Sequence, residues 1–167
     1  MIKTVKGDLI KLAMQGEFDI IIQGCNCFCA MGGGIARAIA DNFPDAEFVD
    51  SVTMVGDRTK LGTFTMAMDL KYDVLILNCY TQYDMSKGEN VFEYWALAEC
   101  LEEIKRRWPE ASIGMPKIGC GLARGDWGIV ENVVSDTLRG SDVTVVIYDE
   151  EAFTVGADWA KSEDDEL

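Results

Sequence analysis

Residues 24–39 read GCNCFCAMGGGIARAI. They overlap FDIIIQGCN (18–26), whose near-continuous apolar run is what a strand buried on both faces requires. Downstream, GIARAIADNF (34–43) sets Ile35, Ile39 and Phe43 at i, i+4 and i+8, a helical stripe, with Pro44 just past its end. The stretch is therefore a turn from strand to helix, and its residues pose a choice. Cysteines at 25, 27 and 29 point to a metal, whereas glycines at 32, 33 and 34 at the mouth of a helix point to a bound anion.

The rest of the chain repeats the alternation. IKTVKG (2–7) reads as a strand, and LGTFTMAMDL (61–70) and YDVLILNCY (72–80) read as two strands joined by a tight turn at Asp69–Tyr72. Between Asn90 and Trp108, the residues Tyr94, Leu97, Leu101, Ile104 and Trp108 step by three and four, and Lys105, Arg106 and Arg107 complement the dipole of that helix in its last turn. SIGMPKIG (112–119) is a short strand, GCGLARGDW (119–127) a second glycine-rich turn, and the next helix carries Val130, Val134 and Leu138 on one face. VTVVIYD (143–149) is a last buried strand, and an acidic tail, 156–167, is expected to fray. Strands alternating with helices give an α/β layered domain, and the hairpin-like pair makes its sheet mixed. Ligands of such sheets bind outside the carboxyl ends of the strands, so both glycine turns should line one edge.

Composition narrows the partners. The 167 residues, 49% of them hydrophobic, suffice for one core, and 29 acidic against 15 basic residues leave a net charge of −14. That field opposes direct nucleic-acid binding, whose affinity comes largely from neutralised phosphates, and equally an anionic membrane surface. The chain has no histidine, which removes the commonest general base and metal ligand. Its six cysteines come without a secretory leader in MIKTVKGDLI, so free thiols and a cytoplasmic location are expected.

An anion held against this field must be held by main chain. Glycines at a helix start expose N–H groups and about half a positive charge, and without Cβ atoms the backbone can wrap a phosphate closely. Two such turns on one edge suit a diphosphate. Neither is a Walker A loop, because no Gly-Lys-Ser/Thr follows, and neither is a dinucleotide fingerprint. The spacing of Cys25, Cys27 and Cys29 is too short for the usual paired zinc ligands, and no histidine completes a set; small apolar residues packing around a strand end is the reading we adopt, with no metal and no cofactor.

VKGDLI (5–10), GCNCFCAMGGGIARAI (24–39), ILNCYTQ (76–82) and MPKIGCGLARGDW (115–127), in this order, resemble the macrodomain family over about residues 1–155. The resemblance implies a three-layer α/β/α fold with a central mixed sheet and a pocket for ADP-ribose. The branch it is most similar to comprises small phage, bacterial and fungal ADP-ribose-1''-phosphate phosphatases, with terminal ADP-ribose glycohydrolases as neighbours. It implies that Asp8, with the Leu9 backbone beside it, meets the adenine amino group and that Asn26 holds the distal ribose. Amides around Gly32, Gly33, Gly34 and Ile35 would take one side of the diphosphate, those around Gly119, Cys120, Gly121, Leu122 and Ala123 the other. Tyr148 and Asp149 would border the adenine. By residue type alone Asp8 and Asn26 could equally serve a turn, and Tyr148 could be a core-edge aromatic.

The catalytic signal is thinner. The glycohydrolase acid expected after the glycine loop is absent, since Ala36 and Arg37 stand there; the strand-end Lys and phosphate-loop Asp of the terminal glycohydrolases are replaced by Thr81 or Gln82 and by Ala123. Asp126 remains as an acid that could orient water, or could cap the helix beginning at Trp127. Asn26 and Gln82 could position a substrate. The expected activity is removal of the 1''-phosphate from ADP-ribose 1''-phosphate, with Asn26 and Asp126 as candidate catalytic residues; the alternatives are a non-catalytic ADP-ribose-binding module and an ADP-ribosyl hydrolase.

Overall fold

The computed structural model describes residues 2–85, 90–121 and 123–149; Leu122 and the acidic tail fall outside them. Six strands form one sheet in the order β1-β6-β5-β2-β4-β3, where β1 is Ile2–Gly7, β2 Ile20–Asn26, β3 Phe64–Asp69, β4 Val74–Gln82, β5 Ser112–Met115 and β6 Asp142–Tyr148. All neighbours are parallel except β3, which runs antiparallel to β4, so the mixed sheet is as expected. Five α-helices lie among the described residues: α1 (Leu9–Met14), α2 (Gly34–Asn42), α3 (Pro44–Ser51), α4 (Tyr94–Arg107) and α5 (Trp127–Thr137).

The pleat of the strands divides the core in two. Ile20 and Ile22 of β2 face α4 and α5, packing with Leu97, Leu101, Val130 and Val134. Ile21, between them, faces the other way onto α1, α2 and α3, with Leu12, Ile39 and Phe43. Successive side chains of a strand point to opposite faces, so a continuous apolar run is the signature of a strand covered on both. Each fully buried isoleucine contributes about 2 kcal/mol.

Two helices depart from the sequence expectation. Pro44 does not follow the end of a helix into a loop; it is the first residue of α3, where its missing N–H costs nothing. α1 is a short helix capped by Asp8, whose Oδ1 accepts from the Ile10 and Lys11 amides at 2.9 and 3.2 Å. The strand read over 112–119 stops at Met115, where Pro116 removes a ladder donor. The tight turn after β3 forms as expected, with the Tyr72 amide donating to Asp69 Oδ1 at 2.9 Å. No helix among the described residues is long and apolar enough to cross a membrane.

Strand β2 meets β5 through only Ile20–Ile113 and Ile21–Gly114, although it runs on to Asn26 against β4. Gly114 makes room there for Phe18, since a Cβ on it would lie 2.5 Å from the ring. Gly114→Ala should therefore push β5 off the Phe18 ring and cost about 1–3 kcal/mol, read as a lowered denaturation midpoint at unchanged denaturant slope.

Candidate functional site

Beyond Ile21 and Gly114 the two central strands separate, and the chain leaves them in opposite directions. The segment after β2 leads to α2 on one face of the sheet, and the segment after β5 leads to α5 on the other. That is a topological switch point, where open α/β sheets hold their ligands. Both glycine turns flank it.

On the β2 side, Gly33 precedes α2 in an extended conformation and supplies no side-chain acceptor, and the first turn of α2 contains no acid. The opening N–H groups of this nine-residue helix are thus left for something other than a cap. Gly32, Gly33 and Gly34 are exposed, and a Cβ on Gly32 or Gly34 would meet nothing within 4 Å. The bareness of Gly32 and Gly34 is not forced by packing. Gly34, at φ +58°, also sits in a region that other side chains seldom adopt.

The β5 side is built differently. A Cβ on Gly119 would lie 2.3 Å from the Phe92 ring, and one on Gly125 would lie 2.7 Å from the Gly119 carbonyl oxygen. The loop closes on itself through the Gly125 amide, which donates to that carbonyl at 2.6 Å, and Ala123 O accepts from Val91 N at 3.1 Å. Sequence reasoning passed over Gly125 and Phe92; the third glycine of GCGLARG was the available signal. Gly121 faces open space and is free to meet a ligand. The Cys120 amide donates to Lys117 O at 3.3 Å. Leu122 lies outside the described residues. Two cations that the sequence reading also passed over, Lys117 and Arg124, are exposed on this loop; Lys117 Nζ stands 5.6 Å from the centroid of the Trp127 ring.

Asn26 ends β2 and is buried. Its Oδ1 accepts the Phe28 amide and its Nδ2 donates to Ala30 O, each at 2.9 Å, so it braces the turn leading to Gly32–Gly34. Gln82 is its register partner on β4, and Gln82 Nε2 donates to Asp84 O at 2.9 Å. Asp126 caps α5, with Oδ1 accepting from Gly128 N at 2.8 Å and Ile129 N at 3.3 Å, while its own amide donates to Tyr94 Oη at 2.9 Å. Asp8 and Asp126 alike spend Oδ1 on a helix and leave Oδ2 uncommitted among the described residues. Leu9 is buried beneath Asp8, Ile35 is half-buried, and Tyr148, 68% exposed at the end of β6, is a surface aromatic rather than a core-edge one. The Asp149 amide ties to Gly7 O at 2.9 Å, so Asp8, Tyr148 and Asp149 share one end of the sheet edge.

A buried polar cluster underlies the first turn. Tyr80 Oη donates to Asp50 Oδ1 at 2.8 Å, Lys60 Nζ donates to Thr53 Oγ1 at 3.0 Å, and the Cys29 thiol lies 3.2 Å from Asp50 O. Burial pushes the Asp50 carboxyl above its ordinary range, against the pull of Tyr80 and Lys60. Burial likewise raises the Cys25 and Cys27 thiols, which keeps them protonated and poor as metal ligands or nucleophiles. Among the described residues no three His, Cys, Asp or Glu side chains converge as a metal site.

The Macro domain family model matches residues 22–134, from within β2 to within α5. The chain belongs to this family. It is 35% identical to an uncharacterized 17.5 kDa protein of Enterobacteria phage T4, over 89% of this chain and 96% of that one. It is 28% identical to an ADP-ribose 1''-phosphate phosphatase of Lodderomyces elongisporus (89% and 99% covered) and 25% identical to an ADP-ribose glycohydrolase of Bos taurus (88% and 90% covered). Among solved structures, the macrodomain of Mycobacterium tuberculosis DarG superposes with a TM-score of 0.69 at 22% identity, covering 89% of this chain and 97% of that one. The three-layer α/β/α Macro domain fold expected from the sequence is thus established.

Two measurements probe this site. Asp126→Ala should lose the α5 cap and about 1 kcal/mol of stability, whereas Asp126→Asn, which keeps an acceptor, should stay close to wild type. A raised Asp50 carboxyl favours the protonated state of the folded protein. Its contribution is complete below the unfolded value of about 4 and fades as pH climbs through the raised one. Wild type should accordingly lose ground to Asp50→Asn as pH rises across that window, seen in paired denaturation midpoints.

Proposed function

We propose that this Macro domain binds ADP-ribose along the sheet edge and hydrolyses ADP-ribose 1''-phosphate to ADP-ribose and phosphate. The observation that carries the reading is the pair of glycine turns on either side of the parted strands, one opening an uncapped helix, the other folded shut on Phe92. A diphosphate between them would take the N–H groups of α2 on one side and those at Gly119 and Gly121 on the other. Asp8 Oδ2 would accept from the adenine amino group, with Tyr148 and Asp149 beside the base. Asn26, already fixed at both ends of its amide, would hold the distal ribose through its remaining hydrogen-bonding capacity.

Hydrolysis needs a water aimed at the terminal phosphorus and donors for the charge that develops on its oxygens. The loop amides supply the second, and Asp126 Oδ2 is the acid available for the first. Because Asp126 also caps α5, its carboxylate is held in place, which favours positioning over proton transfer and implies slow turnover. Six free thiols accord with work in a reducing cytoplasm. The fungal relative's name supports the phosphate monoester as substrate, and the bovine relative's name supports the second reading, release of ADP-ribose from a conjugate.

Titrating ADP-ribose into the protein by calorimetry should give a dissociation constant in the micromolar range, about −8 kcal/mol; no heat at millimolar ligand rejects the pocket. Incubation with ADP-ribose 1''-phosphate should release inorganic phosphate, and Asp126→Ala should slow it by about 100-fold. Tight binding without phosphate release would leave a binding module.

A further inference from the structure

We infer that the outer edge of β3 is a self-association surface, on which a second copy of this chain pairs β3 to β3, antiparallel, about a two-fold axis at Met66. The two ends of the sheet differ in how they meet solvent. The β1 edge, IKTVKG, carries Lys3 and Lys6, the kind of charge that blunts an edge against further pairing. The β3 edge, FTMAMD, pairs with β4 in unbroken register from Phe64 to Asp69, without bulge, proline or lysine. Met66 and Met68 are 46% and 45% exposed on it, and Leu70 just beyond is 88% exposed.

The hydrogen-bond phase fixes the register. Tyr80 N donates to Thr63 O at 3.0 Å, so in this antiparallel ladder the odd residues of β3 bond to β4 and the even ones turn their N–H and C=O groups outward. A two-fold pairing through the outward groups centres on Met66. It sets Met66 against Met66 of the second copy and Phe64 against its Met68, each pair exchanging two main-chain hydrogen bonds. In this register Leu70 and Lys71 of one copy arrive beside Gly62 of the other. Gly62, Thr63 and Phe64 line a groove of about 580 Å³ whose far wall is α4, with Glu99 and Glu102 on it. These two acids make no ion pair among the described residues, whereas Glu103 is already held by Arg106 and Arg107. Leu70 fills the groove mouth, and Lys71, whose Nζ stands 5.0 Å from the Tyr72 ring centroid in the single chain, swings across to meet its acids, twice over by symmetry. α3, packed along β3, adds Phe48 and Val52, 63% and 67% exposed. Together these side chains expose on the order of 500 Å² of apolar surface, approaching the ~800 Å² per partner of a standard interface.

Light scattering across a concentration series should give a dimer mass, with the Met66 and Met68 amides protected from exchange only at concentrations where the dimer forms. Met66→Lys should give a monomer of unchanged far-ultraviolet circular dichroism. Lys71→Glu should weaken dimerisation about tenfold, and Lys71→Glu with Glu102→Lys should restore it; this charge pair also decides the matter if Met66→Lys fails to fold. A monomer at every concentration overturns the proposal. So does a dimer that persists in Met66→Lys, or one in which those amides stay unprotected.

Discussion

Strand β2 has two neighbours and keeps one of them for only part of its length. It holds β4 from Ile20 to Asn26 and β5 only at Ile20 and Ile21. Everything at the site depends on that parting. Had β5 continued beside β2, its ladder would have consumed the space between the two glycine turns. Pro116 ends the run of donors just beyond β5, and Phe18 fills the volume over Gly114 at the last shared pair. The cleft is thus a consequence of packing under the sheet as much as of loops above it.

The two turns reach similar surfaces by different means. At Gly32 and Gly34 the lack of side chains answers to no protein neighbour, and the backbone is held from behind by Asn26, whose amide is used at both ends. At Gly119 and Gly125 the glycines are demanded by the protein itself, because Phe92 and a carbonyl oxygen stand where their Cβ atoms would be, while Gly121 between them faces open space. The first turn is bare without a protein neighbour that requires it, and the second is bare at Gly119 and Gly125 so that it can close. A side chain at Gly32 would therefore leave the packing untouched, whereas one at Gly119 or Gly125 would be felt by the fold.

This division explains what could be read in the sequence. The buried strands announce themselves through continuous apolar runs and the long helices through steps of three and four, because their side chains pack on regular surfaces. α1 does not, because LIKLAM is too short for a period and its signal is the single cap Asp8. α3 was obscured by Pro44, which is compatible with a stop and with a start; only the neighbouring chain decides. The glycine loops were legible as turns between strand and helix, since residue type limits what backbone can do. The engagement of the Cys120 amide with Lys117, and the wedging of Phe92 beneath Gly119, were not, because partners from distant segments determine them. Asp126 was visible as an acid near the loop, and both of its alternatives were visible too; the structure supplies the cap.

The acidic character of the chain follows the same logic. With a net charge of −14, anion binding by scattered lysines would compete with a surrounding field of the wrong sign. Main-chain N–H groups at short range escape most of that competition, because exposed charges are screened beyond about 8 Å at physiological ionic strength while a ligand in the turn sits against the donors. Their direction is fixed by the fold, so recognition rests on shape and on where the amides point. On the proposed reading, the exposed cations Lys117 and Arg124 would draw the ligand in, while the grip would belong to backbone that carries no formal charge. The same field would drive copies of the chain apart. A self-pairing edge has to be apolar at its centre, with lysine meeting glutamate at its margins, and the β3 side of this sheet is composed in that way.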